Sequence, residues 1–265
     1  MQNNSLNSPK VGIIMNCHNG EKFLSESINS LLSQTYQNWE LIFWDNLSSD
    51  KSKEVLKSFS DNRIKYYSSD KFLNLYEARN LAIQKSIGKY ICFLDTDDLW
   101  TKDKIEKQIN FLKENQEYKM VYSNYYILDE KKKIKYKKYS SPLPQGNITK
   151  SLLKNYSVGI LTTCLEKKIF DKLNFKKEYN IIGDFDFFIK LSQEQKIGCI
   201  QKPLAYYRLH ETNYSNKKLK LYVNELTGWI KENYSSLKIK GYDLKYQKFY
   251  LFKLKIKSFL QFWGL

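Results

Sequence analysis

Three aspartates stand within four positions of the sequence, at Asp95, Asp97 and Asp98. They directly follow an apolar run, residues 90–94, whose composition predicts a buried β-strand. Clustered carboxylates repel one another, and Mg²⁺ or Mn²⁺ commonly bridges one or two carboxylates to a diphosphate. The segment therefore predicts a divalent-metal site for a diphosphate compound. For Asp98 the alternative is capping of a helix that starts near Thr101.

Polar residues also follow two other predicted strands. Residues 16–21 come after a first apolar run, and Asp45 and Asn46 come after a second. Helical spacing of apolar residues between the runs predicts βαβαβαβ order, which is an α/β fold with a mainly parallel sheet flanked by helices. Ligands of such sheets bind beyond the carboxyl ends of the strands, so the three polar clusters are expected to share one site. The four predicted strands are residues 11–15, 40–44, 64–67 and 90–94.

The second half of the chain is less regular. Residues 103–115 and 184–194 are predicted to be helical, and residues 120–128 and 159–165 are predicted strands. The lysine-rich stretch 131–138 is expected to form a solvated hairpin or loop.

Composition and missing motifs restrict the function. The net charge of +16 favours an anionic partner such as a nucleotide, a nucleic acid or an acidic membrane, although a lysine-rich proteome explains it equally well. The sequence has no dinucleotide-binding glycine motif, P-loop or nucleophile elbow, which argues against the enzymes that use them. The four cysteines are widely separated, so we expect buried thiols in a reducing compartment and no zinc site. Without an apolar leader or a membrane-spanning run, a cytoplasmic protein is expected.

The C-terminal segment, residues 245–265, has five lysines and no acidic residue. Its apolar residues fall on one helical stripe, which is typical of a helix lying on a membrane surface. Packing of this stripe on the domain is the alternative, because Tyr250 and Leu251 also suit a core contact. The stripe consists of Phe249, Phe252, Ile256, Phe259, Leu260 and Trp263.

Six segments, taken in order, resemble the motifs of family-2 glycosyltransferases with the GT-A fold. The resemblance covers residues 10–215, with a nucleotide-binding half at about 10–100 and an acceptor half at 101–215. This makes residues 1–215 the glycosyltransferase domain and residues 216–265 a basic, aromatic-rich helical tail. The segments are VGIIMNCHN (11–19), WDNLSSD (44–50), ARN (78–80), FLDTDDLW (93–100), GDFDFFIKL (183–191) and YRLHETNYS (207–215).

The resemblance implies a role for each matching residue. Asp184 matches the catalytic base, and Asp97 and His210 match the metal site for Mn²⁺ or Mg²⁺. We expect Asp184 to open a helix whose dipole keeps its carboxylate ionised. Judged without the family, Asp45 could cap a turn, Arg79 could sit in a surface ion pair, and His210 could be a packing residue. The residues matching the nucleotide site are Cys17, His18, Asn19, Glu21, Asp45, Arg79 and Asp95.

The sequence departs from the family pattern at several positions. Leu47 stands where glycine is common, which puts the turn geometry in doubt, because leucine tolerates a positive φ angle poorly. Gly183 stands where a glutamate is frequent, next to the expected base. None of the departures removes a charge from the expected site. The others are Asn16 for proline, Asn46 for aspartate, and Leu75 and Ala82 for glycines.

The activity that the resemblance implies is transfer of a sugar with inversion, from a nucleotide-diphosphate donor to a hydroxyl group of the acceptor. A UDP-sugar is the favoured donor, and a glycan or lipid-linked compound is the expected acceptor. A nucleotidyltransferase or a nucleic-acid-binding protein is the alternative, although carboxylates at strand ends would repel a polyanion, so no nucleic-acid partner is expected. An acceptor carried by a lipid would suit peripheral attachment to the inner face of the cytoplasmic membrane.

Overall fold

The structure is a computed structural model that describes residues 9–211, 213 and 218–262. Its first part alternates strands and helices in the predicted order. All four predicted strands and the three helices between them are present, which confirms the periodicity argument. These elements are β1 (Val11–Cys17), α1 (Glu21–Leu32), β2 (Trp39–Asp45), α2 (Ser52–Lys57), β3 (Ile64–Ser68), α3 (Leu75–Lys85) and β4 (Tyr90–Phe93).

The first four strands form a parallel sheet in the order β3-β2-β1-β4. Every residue of β2 is buried, because helices cover both faces of the sheet. Cys17 pairs with Asp45 at the ends of β1 and β2. The loops that follow these strands therefore start side by side, as expected for a site at the carboxyl edge.

Beyond β4 the sheet is mixed. Strand β8 lies antiparallel between β4 and β6, and β9 runs parallel to β6. The lysine-rich stretch forms the exposed hairpin strand β7, as predicted. The elements of this part are β5 (Leu99–Trp100), α4 (Lys104–Glu114), β6 (Met120–Asp129), β7 (Ile134–Lys137), α5 (Thr149–Lys154), β8 (Cys164–Glu166), α6 (Gly183–Glu194) and β9 (Ile197–Leu209).

The prediction of a strand at residues 159–165 is wrong over most of its length. Residues Ile160–Thr162 form a 3₁₀ turn, and β8 begins only at Cys164. The hydroxyl of Thr162 donates to the Gly159 carbonyl at 2.6 Å, and that of Thr163 donates to the Ile160 carbonyl at 2.8 Å. Such local bonds give the backbone an alternative to the sheet ladder, and apolar periodicity does not reveal them.

Two helices complete the described chain, α7 (Leu219–Ile239) and α8 (Lys245–Phe262). Trp229 of α7 is buried in the main core, and its indole N–H donates to the Asp186 carboxylate at 2.8 Å. On α8, Leu251 and Leu254 are buried against the same core. The segment predicted as a tail thus packs on the rest of the fold through one side. The boundary at residues 215–216 lies outside the described residues.

The aromatic stripe of α8 faces away from these packing contacts. Phe249 and Phe252 are 58% and 59% exposed, and Ile256, Phe259 and Leu260 are also exposed. Trp263 lies outside the described residues. Of the helices in the described ranges, none has the length and apolar character needed to cross a bilayer. All four cysteines are free and buried, as their sequence context predicts.

Candidate functional site

The loops after β1 and β2 are joined by hydrogen bonds from side chains to backbone. The Asn19 side-chain oxygen accepts the Ser49 N–H at 2.8 Å, and Asn19 adopts a φ of 57°, which asparagine tolerates. The Glu21 carboxylate accepts the Lys51 N–H at 2.7 Å, while Asp50 accepts the Glu21 N–H at 2.9 Å. Asn19 and Glu21, both predicted to contact the nucleotide, therefore also fix the two loops to each other.

His18 and Cys17 face different environments. The His18 ring is exposed, lies 2.9 Å from the Asn46 carbonyl oxygen through Nδ1, and packs edge-on against Phe72 at 4.8 Å between centroids. Phe72 is 57% exposed, so the two rings form an exposed aromatic pair at the sheet edge, available to a base. The Cys17 thiol is buried, and burial raises its pKa. The Cys17 thiol therefore lies out of contact with solvent, and the nucleotide contact expected at Cys17 stays a prediction.

Asp45 is buried at the end of β2 and uses both carboxylate oxygens. One accepts the Ser48 N–H at 2.9 Å, which is the turn-capping role, and the other accepts the Tyr66 hydroxyl at 2.9 Å. The capped turn contains Leu47, whose φ is 59°. The left-handed conformation favoured by glycine is thus retained with leucine in its place. Each carboxylate oxygen has a further lone pair, so the Asp45 contacts are compatible with hydrogen bonding to a nucleobase.

Arg79 and Asp95 form an ion pair at the base of the site. Arg79 Nη2 donates to Asp95 Oδ1 at 2.8 Å, and the arginine side chain is only 2% exposed. Burial raises the pKa of Asp95, and the neighbouring Asp97 adds to this effect, while Arg79 opposes it. The predicted arginine is therefore not a surface residue. It neutralises the first aspartate of the cluster from beneath.

Asp97 and His210 meet although they are far apart in the sequence. Asp97 Oδ2 and His210 Nε2 lie 2.9 Å apart. Two ligands at about 2.1 Å from an octahedral ion are separated by about this distance, so the pair suits neighbouring positions around Mg²⁺ or Mn²⁺. No group of three or more His, Cys, Asp or Glu residues able to hold a metal exists among the described residues. A cation bound here would therefore take its remaining ligands from water and a diphosphate.

Asp98, the third aspartate of the cluster, does not cap a helix. Helix α4 begins at Lys104, and Asp98 is buried, accepting the Arg208 N–H at 3.0 Å. Burial raises the pKa of Asp98 well above its ordinary value, and the charges of Asp97 and Asp95 reinforce the shift. The helix-cap alternative is therefore wrong. The residue joins the β4–β5 loop to β9, where Arg208 also donates to the Asp97 carbonyl at 2.9 Å.

Asp184 stands in the first turn of α6, as expected, and lines a cavity of about 760 Å³. Its Oδ1 accepts the Phe185 N–H at 2.8 Å and the Tyr76 hydroxyl at 3.2 Å. Burial raises the pKa of Asp184, and the Phe185 N–H and the Arg79 charge offset this only in part. Burial thus outweighs the first-turn N–H in its effect on this pKa, and the expectation that the helix dipole keeps the carboxylate ionised stays a prediction. The higher pKa makes this carboxylate a stronger base than a solvated one.

Gly183 is explained by its contact with Tyr76. A Cβ atom at position 183 would lie 2.4 Å from the Tyr76 ring, so no larger residue fits while the ring stays in place. The same ring carries the hydroxyl that bonds Asp184. Glycine at position 183, in place of the usual glutamate, therefore leaves room for the Tyr76 ring whose hydroxyl bonds Asp184.

Sequence reasoning missed the residues that hold the loop before Asp184. The carboxylate of Glu225, on α7, accepts three consecutive backbone N–H groups, from Asn180 at 2.9 Å, Ile181 at 3.0 Å and Ile182 at 3.1 Å. Nothing in the sequence around Glu225 signals this role. Tyr76 had a weak signal, since it lies one helical turn before Arg79 and thus on the same face of α3.

Comparison with known proteins agrees with this arrangement. Residues 12–174 match the model of Glycosyl transferase family 2. The chain is 33% identical to the Escherichia coli UDP-Glc:alpha-D-GlcNAc-diphosphoundecaprenol beta-1,3-glucosyltransferase WfgD over 212 residues. The aligned region covers 79% of this chain and 81% of WfgD. It is 28% identical to the putative teichuronic acid biosynthesis glycosyltransferase TuaG of Bacillus subtilis, over 80% of this chain and 84% of TuaG.

Solved structures show the same fold. S. aureus TarS residues 1–349 in complex with UDP-GlcNAc matches with a TM-score of 0.63 and 15% identity, over 83% of this chain and 66% of TarS 1–349. The mannosyltransferase PcManGT from Pyrobaculum calidifontis, in complex with GDP-Man and Mn²⁺, matches with a TM-score of 0.62 and 12% identity, over 86% and 66%. The chain thus spans slightly less than two thirds of these structures. Its matched motifs, family model and GT-A fold agree, and the chain is a glycosyltransferase of family 2.

Proposed function

We propose that the protein transfers a sugar from a nucleotide-diphosphate donor to a hydroxyl group of a lipid-linked glycan acceptor, with Asp184 as the base. Asp184 carries the proposal, because it is a carboxylate of raised pKa that opens onto a large cavity and feels the charges of Arg79 and Asp95. Because Arg79 and Asp95 belong to the predicted donor site, Asp184 interacts directly with charges of that site. An acceptor in the cavity would give its hydroxyl proton to Asp184 as the oxygen attacks the anomeric carbon.

The donor is proposed to be a UDP-sugar. WfgD is named for UDP-Glc, and the TarS structure holds UDP-GlcNAc, whereas PcManGT holds GDP-Man. The exposed pair of His18 and Phe72 offers an aromatic surface to the base, and Asp45 offers hydrogen-bond acceptors. These features, together with Asn19, Glu21, Arg79 and Asp95, support a nucleotide site along the carboxyl ends of β1, β2 and β4.

Asp97 and His210 are proposed to hold Mn²⁺ or Mg²⁺. Their 2.9 Å separation supports this assignment, and so does the Mn²⁺ in the structure of PcManGT. When bound, the ion would neutralise charge on the departing diphosphate. Arg79 contributes a fixed positive charge beneath Asp95 in any case. Asp184 is suited to direct displacement, so inversion at the anomeric carbon is proposed.

The acceptor is proposed to be lipid-linked, and the protein to act at the inner face of the cytoplasmic membrane. WfgD is named for a diphosphoundecaprenol acceptor, which supports a lipid carrier. The exposed aromatic stripe of α8 and its five lysines support contact with an anionic membrane surface.

Replacement of Asp184 by Asn tests the proposal. The amide keeps an oxygen for the Tyr76 and Phe185 bonds but cannot take a proton, so we expect transfer to fall by about 10²–10⁴-fold with donor binding unchanged. Labelled UDP-sugars and a sugar-diphosphate lipid would serve as substrates, and calorimetry would measure donor binding. The exposed Asp171→Asn variant is the matched control. Full turnover by Asp184→Asn, or a product that retains the anomeric configuration of the donor, would contradict the proposed mechanism.

A further inference from the structure

The residues that line the cavity beside Asp184 differ from those predicted to form the donor site. It is lined by the residues after β7, by the end of α5, by the start of α6, and by α7 and α8. Of the residues predicted to bind the nucleotide or metal, none lines it within the described chain. Its volume of about 760 Å³ is typical of a pocket that encloses a whole small molecule. The cavity can therefore hold more than the single hydroxyl group that reacts.

Two buried polar groups belong to the cavity lining. The Tyr156 hydroxyl and the Gln247 side-chain oxygen are buried and make no close hydrogen bond in the described part of the chain, although the Tyr156 hydroxyl is near enough to Asp184 to interact with its carboxylate. Both residues line the cavity, and the Gln247 amide nitrogen is held by the Leu153 carbonyl. Buried polar groups in native proteins are nearly always hydrogen-bonded. The Gln247 oxygen can thus accept a hydrogen bond from a sugar hydroxyl, and the Tyr156 hydroxyl can donate one to a sugar bound beside Asp184.

The remaining lining is aromatic and basic. Tyr139, Tyr222 and Tyr250 contribute ring surface of the kind that packs against the apolar face of a sugar. Lys138 and Lys154 are exposed cavity residues, and Asp184 is the single carboxylate among the lining residues that the structure describes. A lining with two lysines and one carboxylate suits a diphosphate better than a neutral glycan.

We propose, on the basis of the function proposed above, that this cavity binds the acceptor as a sugar joined through a diphosphate to a lipid. Tyr156 and Gln247 hydrogen-bond the sugar, and Lys138 and Lys154 bind the diphosphate. Tyr246 and Tyr250 of α8 line the cavity and are themselves 40% and 46% exposed, so this helix runs from the cavity to the exposed stripe. That continuity gives the lipid a path to the membrane and makes the C-terminal helices part of the acceptor site.

Replacement of Tyr156 by Phe tests the hydrogen-bonding role. It removes a hydroxyl that makes no close hydrogen bond and keeps the ring, so the fold should be retained. We expect binding of an N-acetylhexosamine diphosphate with a short alkyl chain to weaken by about tenfold, measured by calorimetry without donor. UDP-sugar binding should not change. Tyr234→Phe, on α7 but outside the cavity lining, is the matched control. Unchanged affinity of Tyr156→Phe for the acceptor analogue would overturn the sugar-binding role.

Replacement of Lys138 and Lys154 by Ala together tests the diphosphate role. We expect about tenfold weaker binding of the diphosphate analogue and unchanged binding of an alkyl glycoside of the same sugar. Lys150→Ala removes an exposed lysine one helical turn before Lys154, outside this cavity, and should alter neither affinity. Equal losses with both analogues, or none with either, would overturn the diphosphate assignment.

These binding measurements separate the two proposals. The acceptor site is tested without donor and without turnover, so it can fail while Asp184→Asn still abolishes transfer. Conversely, specific acceptor binding with no transfer from any nucleotide-sugar would reject the proposed function and leave the cavity assignment in place.

Discussion

At the scale of single residues, the three neighbouring aspartates after β4 have three distinct environments. Asp95 is paired with Arg79, Asp97 with His210, and Asp98 accepts a backbone N–H from β9. The sequence indicates that Asp97 and His210 belong together only through the family motifs. The Asp98 contact spans 110 residues and has no local pattern, so the sequence left helix capping as an open alternative.

Replacement of Asp98 by Asn should stabilise the protein at neutral pH. The amide keeps an oxygen for the Arg208 N–H and removes a buried ionisable group. Because the folded-state pKa of Asp98 is raised, its ionisation destabilises the fold progressively as pH rises above the unfolded pKa of about 4. The variant should therefore gain little free energy of unfolding near pH 4 and progressively more as the pH rises toward 7.

Urea unfolding at several pH values measures this gain. Asp70→Asn, at an exposed position, should give a difference from the parent that stays flat with pH. An Asp98→Asn gain that shrinks as pH rises would contradict the shifted pKa.

Leu47 stands where the family commonly has glycine, and in the structure it adopts the left-handed backbone conformation. Its φ of 59° costs a leucine about 1–2 kcal/mol, and its side chain is 45% exposed, so little packing offsets the strain. Leu47→Gly should raise the free energy of unfolding by about 0.5–1 kcal/mol after the entropy cost of glycine is subtracted. Leu47→Ala removes the same contacts and keeps the Cβ atom, so it should give no gain. Equal stability of the two variants in urea would show that the turn is not strained.

At the scale of elements, the first four strands could be predicted because apolar runs and helical periodicity alternate without interruption over this part of the chain. Strand β9 was not predicted. Its sequence contains Pro203, and its pairing with β6 shifts register there, between Ser123 and Asn124. A proline lacks the N–H that a regular ladder uses, so an irregular strand is compatible with it although the local pattern argues against a strand.

Helix α7 holds the loop before Asp184 through Glu225. Glu225→Gln should lower the free energy of unfolding by about 2 kcal/mol, because an amide cannot accept all three N–H groups of residues 180–182. It should also lower kcat more than it raises the donor KM, because the loop positions Asp184 and does not form the nucleotide site. Glu232→Gln on the same helix removes an exposed pairing with Lys176 and should cost less than about 0.5 kcal/mol. A Glu225→Gln variant with the free energy of unfolding and the kcat of the parent would contradict this role.

At the scale of the whole molecule, the C-terminal helices have two different sides. The buried side packs on the core through Trp229, Leu251 and Leu254, which confirms the core-packing interpretation for that face. Contact of the exposed face with a membrane stays a prediction. The exposed side combines aromatic rings with lysines, as where Lys253 Nζ lies 4.5 Å from the centroid of the Phe249 ring. Removing the whole segment would also open the cavity, so point substitutions on the exposed side give the cleaner test.

Replacement of Phe249 and Phe252 together by Ser should abolish most vesicle binding. Both rings are more than half exposed, so the substitutions should not disturb the core, and each ring would bury about 2 kcal/mol of apolar surface in the membrane interface. Sedimentation with anionic vesicles at two salt concentrations measures the effect. Added salt should weaken binding of the parent, since each α8 lysine contributes about 1 kcal/mol near an anionic surface. Ile87→Ser removes an apolar side chain that is 68% exposed between α3 and β4, and should bind like the parent. Parent binding that is equal on neutral and anionic vesicles, or a double variant that sediments like the parent, would mean that α8 does not hold the enzyme at the membrane.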